Sequence, residues 1–250
     1  MSRSTSLQRA GRFLPPPEID MARDTNPFGP GALRFLRELE ANNNKPWFED
    51  NKERYETEIR EPALQLIRLI GARLSKISPH LVAADRKVGG SLMRVYRDVR
   101  FSKDKTPYKT NVGIQFRHEA GKDVHAPGLY VHIADSGVFL GAGMWRPAKE
   151  ALAGMREAID LDAKNWKKAR DGKRFREHWD LSGDSLKRPP RGYDADHPMI
   201  EDLRRTDHIA VSNLSKKDVS SSGFVDLLLE RFGRTKSYMA FQAEALGLPF

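Results

Sequence analysis

The chain has 250 residues, of which 39% are hydrophobic and 31% charged, with a formal net charge of +9 and no cysteine. There is apolar material for a core, but no run approaches the roughly 18–20 apolar residues of a membrane-spanning helix. Disulfides, thiolate catalysis and zinc–sulfur centres are excluded, and a reducing cytoplasm is the expected compartment.

Residues 1–28 mix Ser, Arg and Pro with little apolar periodicity, and are read as a disordered or loose arm. Its Arg/Ser content faintly resembles an organelle transit peptide, while an untidy terminus is the simpler reading. Residues 29–250 are read as a single domain. Leu33, Leu36 and Leu39 repeat at helical spacing, predicting a helix over 32–41. Asn42, Asn43 and Asn44 break it, and Pro46 sits where a first helical turn accepts proline. Trp47, Phe48 and Tyr55 would anchor that second helix. Pro62 kinks or restarts it, and Leu66, Ile67, Ile70 and Leu74 carry it toward Ile77.

The character then changes to β. Residues 91–101, 109–118, 128–134 and 137–145 are rich in β-branched and aromatic residues, with a tight hairpin at Asp135–Ser136–Gly137. Helices are predicted after Pro147 and over about 162–180. The stretch LKRPPRGYDADHP (186–198) is too interrupted for regular structure. A short helix after His197, with Asp196 as its cap, a strand near 208–214 and a helix over about 223–246 complete the chain. This is α+β: a mostly antiparallel sheet of about four or more strands flanked by N-terminal and C-terminal helices.

Positive charge is concentrated in two places. Residues 86–117 hold nine Lys/Arg against two Asp/Glu, and residues 164–191 hold ten against four. Such local potential suits an anionic partner. If 92–101 is a regular strand, Arg94, Tyr96, Asp98 and Arg100 share one face. Met93, Val95, Arg97, Val99 and Phe101 share the other. Arg97 then sits among apolar neighbours and needs a carboxylate or an anionic ligand, because a guanidinium keeps its charge. The connection that follows adds Lys103, Lys105, Tyr108 and Lys109. Arg–Asp pairs on a sheet face also occur as plain solvated charge ladders.

The pattern R-x-x-R-D-x-R-F-x-x-D-K-x-x-Y, here Arg94, Arg97, Asp98, Arg100, Phe101, Asp104, Lys105 and Tyr108, resembles the signature of a bacterial and fungal family known as domain of unknown function 2461. So do FLRELEANNNKPWFEDNKERYE, GLYVHI, FLGAGMWRP and LKRPPRGYDADHP, and the resemblance spans about residues 28–245. It implies a protein of about this length and no assigned activity.

The candidate ligand-binding residues are Arg94, Arg97, Arg100, Lys105 and Lys109, joined by Arg188 and Arg191 if the 186–198 loop folds over the hairpin. Asn44 and Trp47 join them at a helix start where free N–H groups face outward. Should chemistry occur, Asp98, Tyr108 and His197 are the acid–base candidates. No cofactor motif is present: the two glycines of GAGMW are far from a dinucleotide fingerprint and read as close packing. No metal is expected, since no H-x-x-x-H pair occurs and Asp194, Asp196 and His197 make only a weak set. Three functions stay open. The first is a pocket for a small anionic ligand bearing phosphate or carboxylate. The second is a nucleic-acid surface built from both basic segments, with Trp and Phe of 164–179 as stacking groups. The third is a structural or partner-binding protein with internally paired arginines. No membrane partner is expected, and the oligomeric state is open.

Overall fold

A computed structural model describes residues 26–86, 89–121 and 126–250. Helix α1 (Gly31–Ala41) buries Ala32, Phe35, Leu36 and Leu39 on one stripe and ends at Asn42. Helix α2 (Lys45–Asp50) starts from Asn44, whose side chain accepts the Trp47 N–H at 3.0 Å. One turn, α3 (Lys52–Arg54), leads into a π-helical stretch, Tyr55–Arg60, and then α4 (Glu61–Leu74). The proline expected to kink this helix explains the wide turn. Pro62 has no N–H, and the ladder slips by one residue just before it, with the Glu61 N–H bonding the Glu56 carbonyl.

Among the described residues the sheet has six strands, all antiparallel. They are β1 (Leu81–Val82), β2 (Asn111–His118), β3 (Gly128–Ala134), β4 (Gly137–Met144), β5 (Asp180–Ser182) and β6 (His208–Leu214), in the spatial order β1-β2-β3-β4-β6-β5. Alternation decides the faces. Val112, Ile114, Phe116, Leu129, Val131, Ile133, Val138, Leu140, Ala142 and Met144 are buried on one face. Helix α1 lies on β3, α4 on β1 and β2, and α9 (Phe224–Gly233) against α4, while α10 (Lys236–Glu244) lies on β4. Helices α5 (Lys149–Leu161), α6 (Ala163–Asp171), α7 (Lys173–Arg176) and α8 (Ile200–Leu203) complete the helical layer. No helix among the described residues is long and apolar enough to cross a membrane.

Several expectations need correction. The stretch 91–101 is not a strand. It touches β2 through the Leu92–Ile114 bridge, then leaves it and pairs with its own returning limb through Tyr96–Tyr108. Pro107, without an N–H, bars a continuous ladder on that limb. Even so the alternation persists: Arg94, Tyr96, Asp98 and Arg100 are exposed, and Met93, Val95, Arg97 and Val99 half-buried. Phe101 breaks it, being 96% exposed. The helix expected over 162–180 divides at Gly172, and β5 follows as an unforeseen edge strand. The helix expected over 223–246 divides at Arg234–Thr235 into α9 and α10. Helix α8 is not capped by Asp196, since Met199 occupies that place and the His197 ring accepts its N–H. Of the arm expected over residues 1–28, only 26–28 lie among the described residues, and they are held: Phe28 is buried and the Asn26 amide donates to the Val219 carbonyl.

Candidate functional site

The broken strand and the end of α1 enclose a polar cleft of about 390 Å³, lined by Glu40, Asn43, Arg97, Asp104, Thr106, Tyr108, Lys109, Thr110 and Asn111. Its floor is set by Tyr108, which is 3% exposed and stacks on Phe48 with ring centroids 4.0 Å apart. Asn43 fixes the backbone at that point. Its side-chain oxygen accepts the Tyr108 N–H and its amide donates to the Tyr108 carbonyl. Burial, then the nearby Tyr96 and Glu49, push the Tyr108 hydroxyl above its ordinary pKa, so the phenol stays protonated.

One wall holds Arg97. A single guanidinium nitrogen donates to the Asp104 carboxylate, the Thr106 hydroxyl and, at 3.2 Å, the Thr106 carbonyl. The partner demanded by a half-buried arginine is therefore supplied from within the chain, though by an exposed carboxylate, and the cleft stays open beside it. Asp104 is held down to about 2, first by the Thr106 N–H and then by Arg97.

Lys109 differs. Its ammonium makes no hydrogen bond or ion pair among the described residues. Burial, then the charge of Arg94, pull its pKa below the ordinary lysine value. Arg94 is exposed, and it too forms no hydrogen bond or ion pair among the described residues. The Glu40 carboxylate, also lining the cleft, is likewise without a hydrogen-bonding partner among the described residues.

The other candidate residues are dispersed. Arg100 grips Asp98 in an exposed two-point pair at 2.9 and 2.7 Å, and Asp98 also feels the charge of Arg94. Lys105 donates to the Val99 carbonyl at 2.9 Å. Asn44 is used as the cap of α2, and Trp47 packs half-buried on Phe35. The 186–198 loop does not fold over the hairpin. It leaves β5, four strand spacings of about 4.8 Å from β2. Arg188 and Arg191 are exposed there, while His197 bonds Asp160 of α5 at 3.0 Å. Asp98, Tyr108 and His197 therefore do not assemble into one catalytic set. No group of three or more His, Asp or Glu placed to hold a metal ion occurs among the described residues.

The second basic segment loses its stacking groups. Trp166 and Trp179 are fully buried and Phe175 nearly so, leaving α6 and α7 with a solvated cationic face over core aromatics. Sequence reasoning missed Glu40, Thr106, Thr110 and Asn111, which are ordinary surface residue types that meet where the chain reversal at 97–109 passes the end of α1.

No curated protein and no solved structure matches this chain. A family model does, over residues 31–241, which include the Arg/Asp/Lys/Tyr signature and the cleft. The chain belongs to the family described as conserved hypothetical protein (DUF2461).

Proposed function

We propose that the cleft binds a small ligand bearing a phosphate or carboxylate. The anionic group lies against Lys109, within the field of Arg94, and a hydroxyl or amine of the ligand donates to Glu40. One observation carries this reading: Arg97 and Arg100 pair with Asp104 and Asp98 and Lys105 donates to a carbonyl, whereas the half-buried Lys109 ammonium has no hydrogen bond or ion pair among the described residues and lies in the field of the like-charged Arg94. A half-buried cation beside a like charge is destabilised, and an anion between the two relieves both burdens. Tyr108, Thr106, Thr110 and Asn111 supply hydrogen-bonding groups around it. A cytoplasmic setting goes with the reading and suits a chain without cysteine.

The test is a thermal-shift panel of inorganic phosphate, sulfate, sugar phosphates, nucleoside monophosphates and dicarboxylates. Stabilisation is expected from at least one, lost in Lys109→Met, weakened in Arg94→Ala and kept in Arg100→Ala. A panel that stabilises nothing, or stabilises Lys109→Met equally, overturns the reading.

A further inference from the structure

Where β4 ends beside β6, at the opposite end of the strands from the cleft, the chain leaves a large ring in water. Trp145 directly follows β4 and is 65% exposed. The Arg146 guanidinium lies over it, 5.0 Å from the ring centroid. Arg146 has φ 50, in the left-handed region that residues with side chains enter at a cost.

Asp207 holds it there. This buried carboxylate accepts the Arg146 N–H at 2.6 Å and the Asp184 N–H at 2.9 Å, joining the end of β4 to the chain that leaves β5. Gly183, with φ +96, makes room for it, since a Cβ there would lie 2.4 Å from the Asp207 Cβ. Ser185 then bridges Arg205, and Leu186 donates to the Arg204 carbonyl at 2.8 Å. Asp207 thus ties the residue after Trp145 to Asp184, three residues before Lys187. Lys187, Arg188 and Arg191 are exposed, and neither they nor Arg146 form an ion pair or hydrogen bond through their side chains among the described residues. Of the acids closest in the chain, Asp207 is occupied by the two amides, while Glu150, Asp184, Asp194 and Asp196 are exposed.

We infer that Trp145 and Arg146, with Lys187, Arg188 and Arg191, form a surface for single-stranded nucleic acid. Arg146 covers one face of the indole and leaves the other for a base, and every base presents a π-face. The loop cations face the phosphates, which the exposed aromatic alone would not attract. A duplex keeps its base faces stacked inside, so an unpaired strand is the form that uses the ring. The surface is separate from the cleft and does not depend on the ligand proposed there.

The four tryptophans make this measurable, because Trp166 and Trp179 are fully buried and Trp47 half-buried, leaving Trp145 as the exposed reporter. The full chain is titrated with oligo(dT), oligo(rU), heparin and phosphatidylserine vesicles at low and high salt, following tryptophan emission and anisotropy of labelled oligonucleotide. The expected result is quenching by both oligonucleotides with affinity that falls steeply with salt. Binding should weaken roughly tenfold in Trp145→Ala, the lower end of one base–aromatic stack. It should weaken further in the Arg188→Glu/Arg191→Glu double variant and be largely kept in Trp145→Phe. The inference fails if no oligonucleotide binds, or if binding is unchanged in Trp145→Ala. It also fails if heparin or vesicles bind better than oligonucleotide at the same salt.

Discussion

Asn43 engages both backbone polar groups of Tyr108: it accepts from the N–H at 3.0 Å and donates to the carbonyl at 2.9 Å. One side chain thus does for the 106–109 limb what a neighbouring strand does inside a sheet, and it ties the basic loop to the end of α1. Asn43→Ala removes both bonds and leaves the two groups beside a buried ring. The expected loss is about 2–3 kcal/mol of unfolding free energy, from two bonds at about 1 kcal/mol plus incomplete rehydration. Asn43→Asp keeps the acceptor and loses the donor, so it should fall between wild type and Ala in chemical denaturation.

Lys109 should reveal itself by titration. Burial and Arg94 both disfavour its ammonium form, so the midpoint of its pH–labelling profile with an amine-reactive reagent falls below the ordinary lysine value of about 10.4. Removing the like charge in Arg94→Ala moves the midpoint upward, and so does a bound anion, since each favours the ammonium. Peptide-resolved mass spectrometry across a pH series reads this directly. A midpoint that ignores both Arg94 and added phosphate would separate the amine from the proposed site.

The frame of the molecule was legible because it rests on periodicity. Leu36 and Leu39 mark the buried stripe of α1, and the strands over 128–134 and 137–144 lie where the β-branched runs put them. The site was legible only in part. Arg97 and Lys109 were visible as cations that needed a partner, but which one finds it inside the chain depends on the reversal at Pro107, which brings Asp104 and Thr106 to Arg97. The strand over 91–101 failed for the same reason: alternation survives locally while the pairing partner changes. Residues remote in sequence stayed hidden, since nothing in Asn43 announces a partner 65 residues away.

His208 sets a pH dependence. It is fully buried at the start of β6, edge-on to Trp166, and burial, then the charges of Arg205 and Arg156, press its pKa down to about 3. The unfolded chain takes up this proton near pH 6.5 and the folded chain does not. Stability is therefore complete above that pH and is lost as pH falls from 6.5 toward 3, by on the order of 1 kcal/mol per unit. His132, lowered by burial, adds in the same direction. His208→Phe should flatten the fall of melting temperature between pH 6.5 and about 5.5, above the range where most carboxylates titrate. An unchanged slope would mean that His208 is charged in the folded state.

Arg97 and Arg100 should behave oppositely although they are three residues apart. Arg97→Ala raises the Asp104 carboxyl from about 2, yet not to the ordinary carboxylate value, because the Thr106 N–H is the larger cause. Carbon-detected NMR titration of the aspartate side chains follows it. Arg100→Ala frees an exposed Asp98 and should leave the melting temperature unchanged, as expected for a solvated pair.

The most direct test of the cleft is an amide-resolved NMR titration of the full chain with inorganic phosphate and with malonate. Saturable shifts centred on Asn43, Thr106, Thr110 and Asn111, abolished by Lys109→Met, are the predicted result. Shifts that never saturate, that centre elsewhere, or that persist in Lys109→Met would contradict an anion held by Lys109.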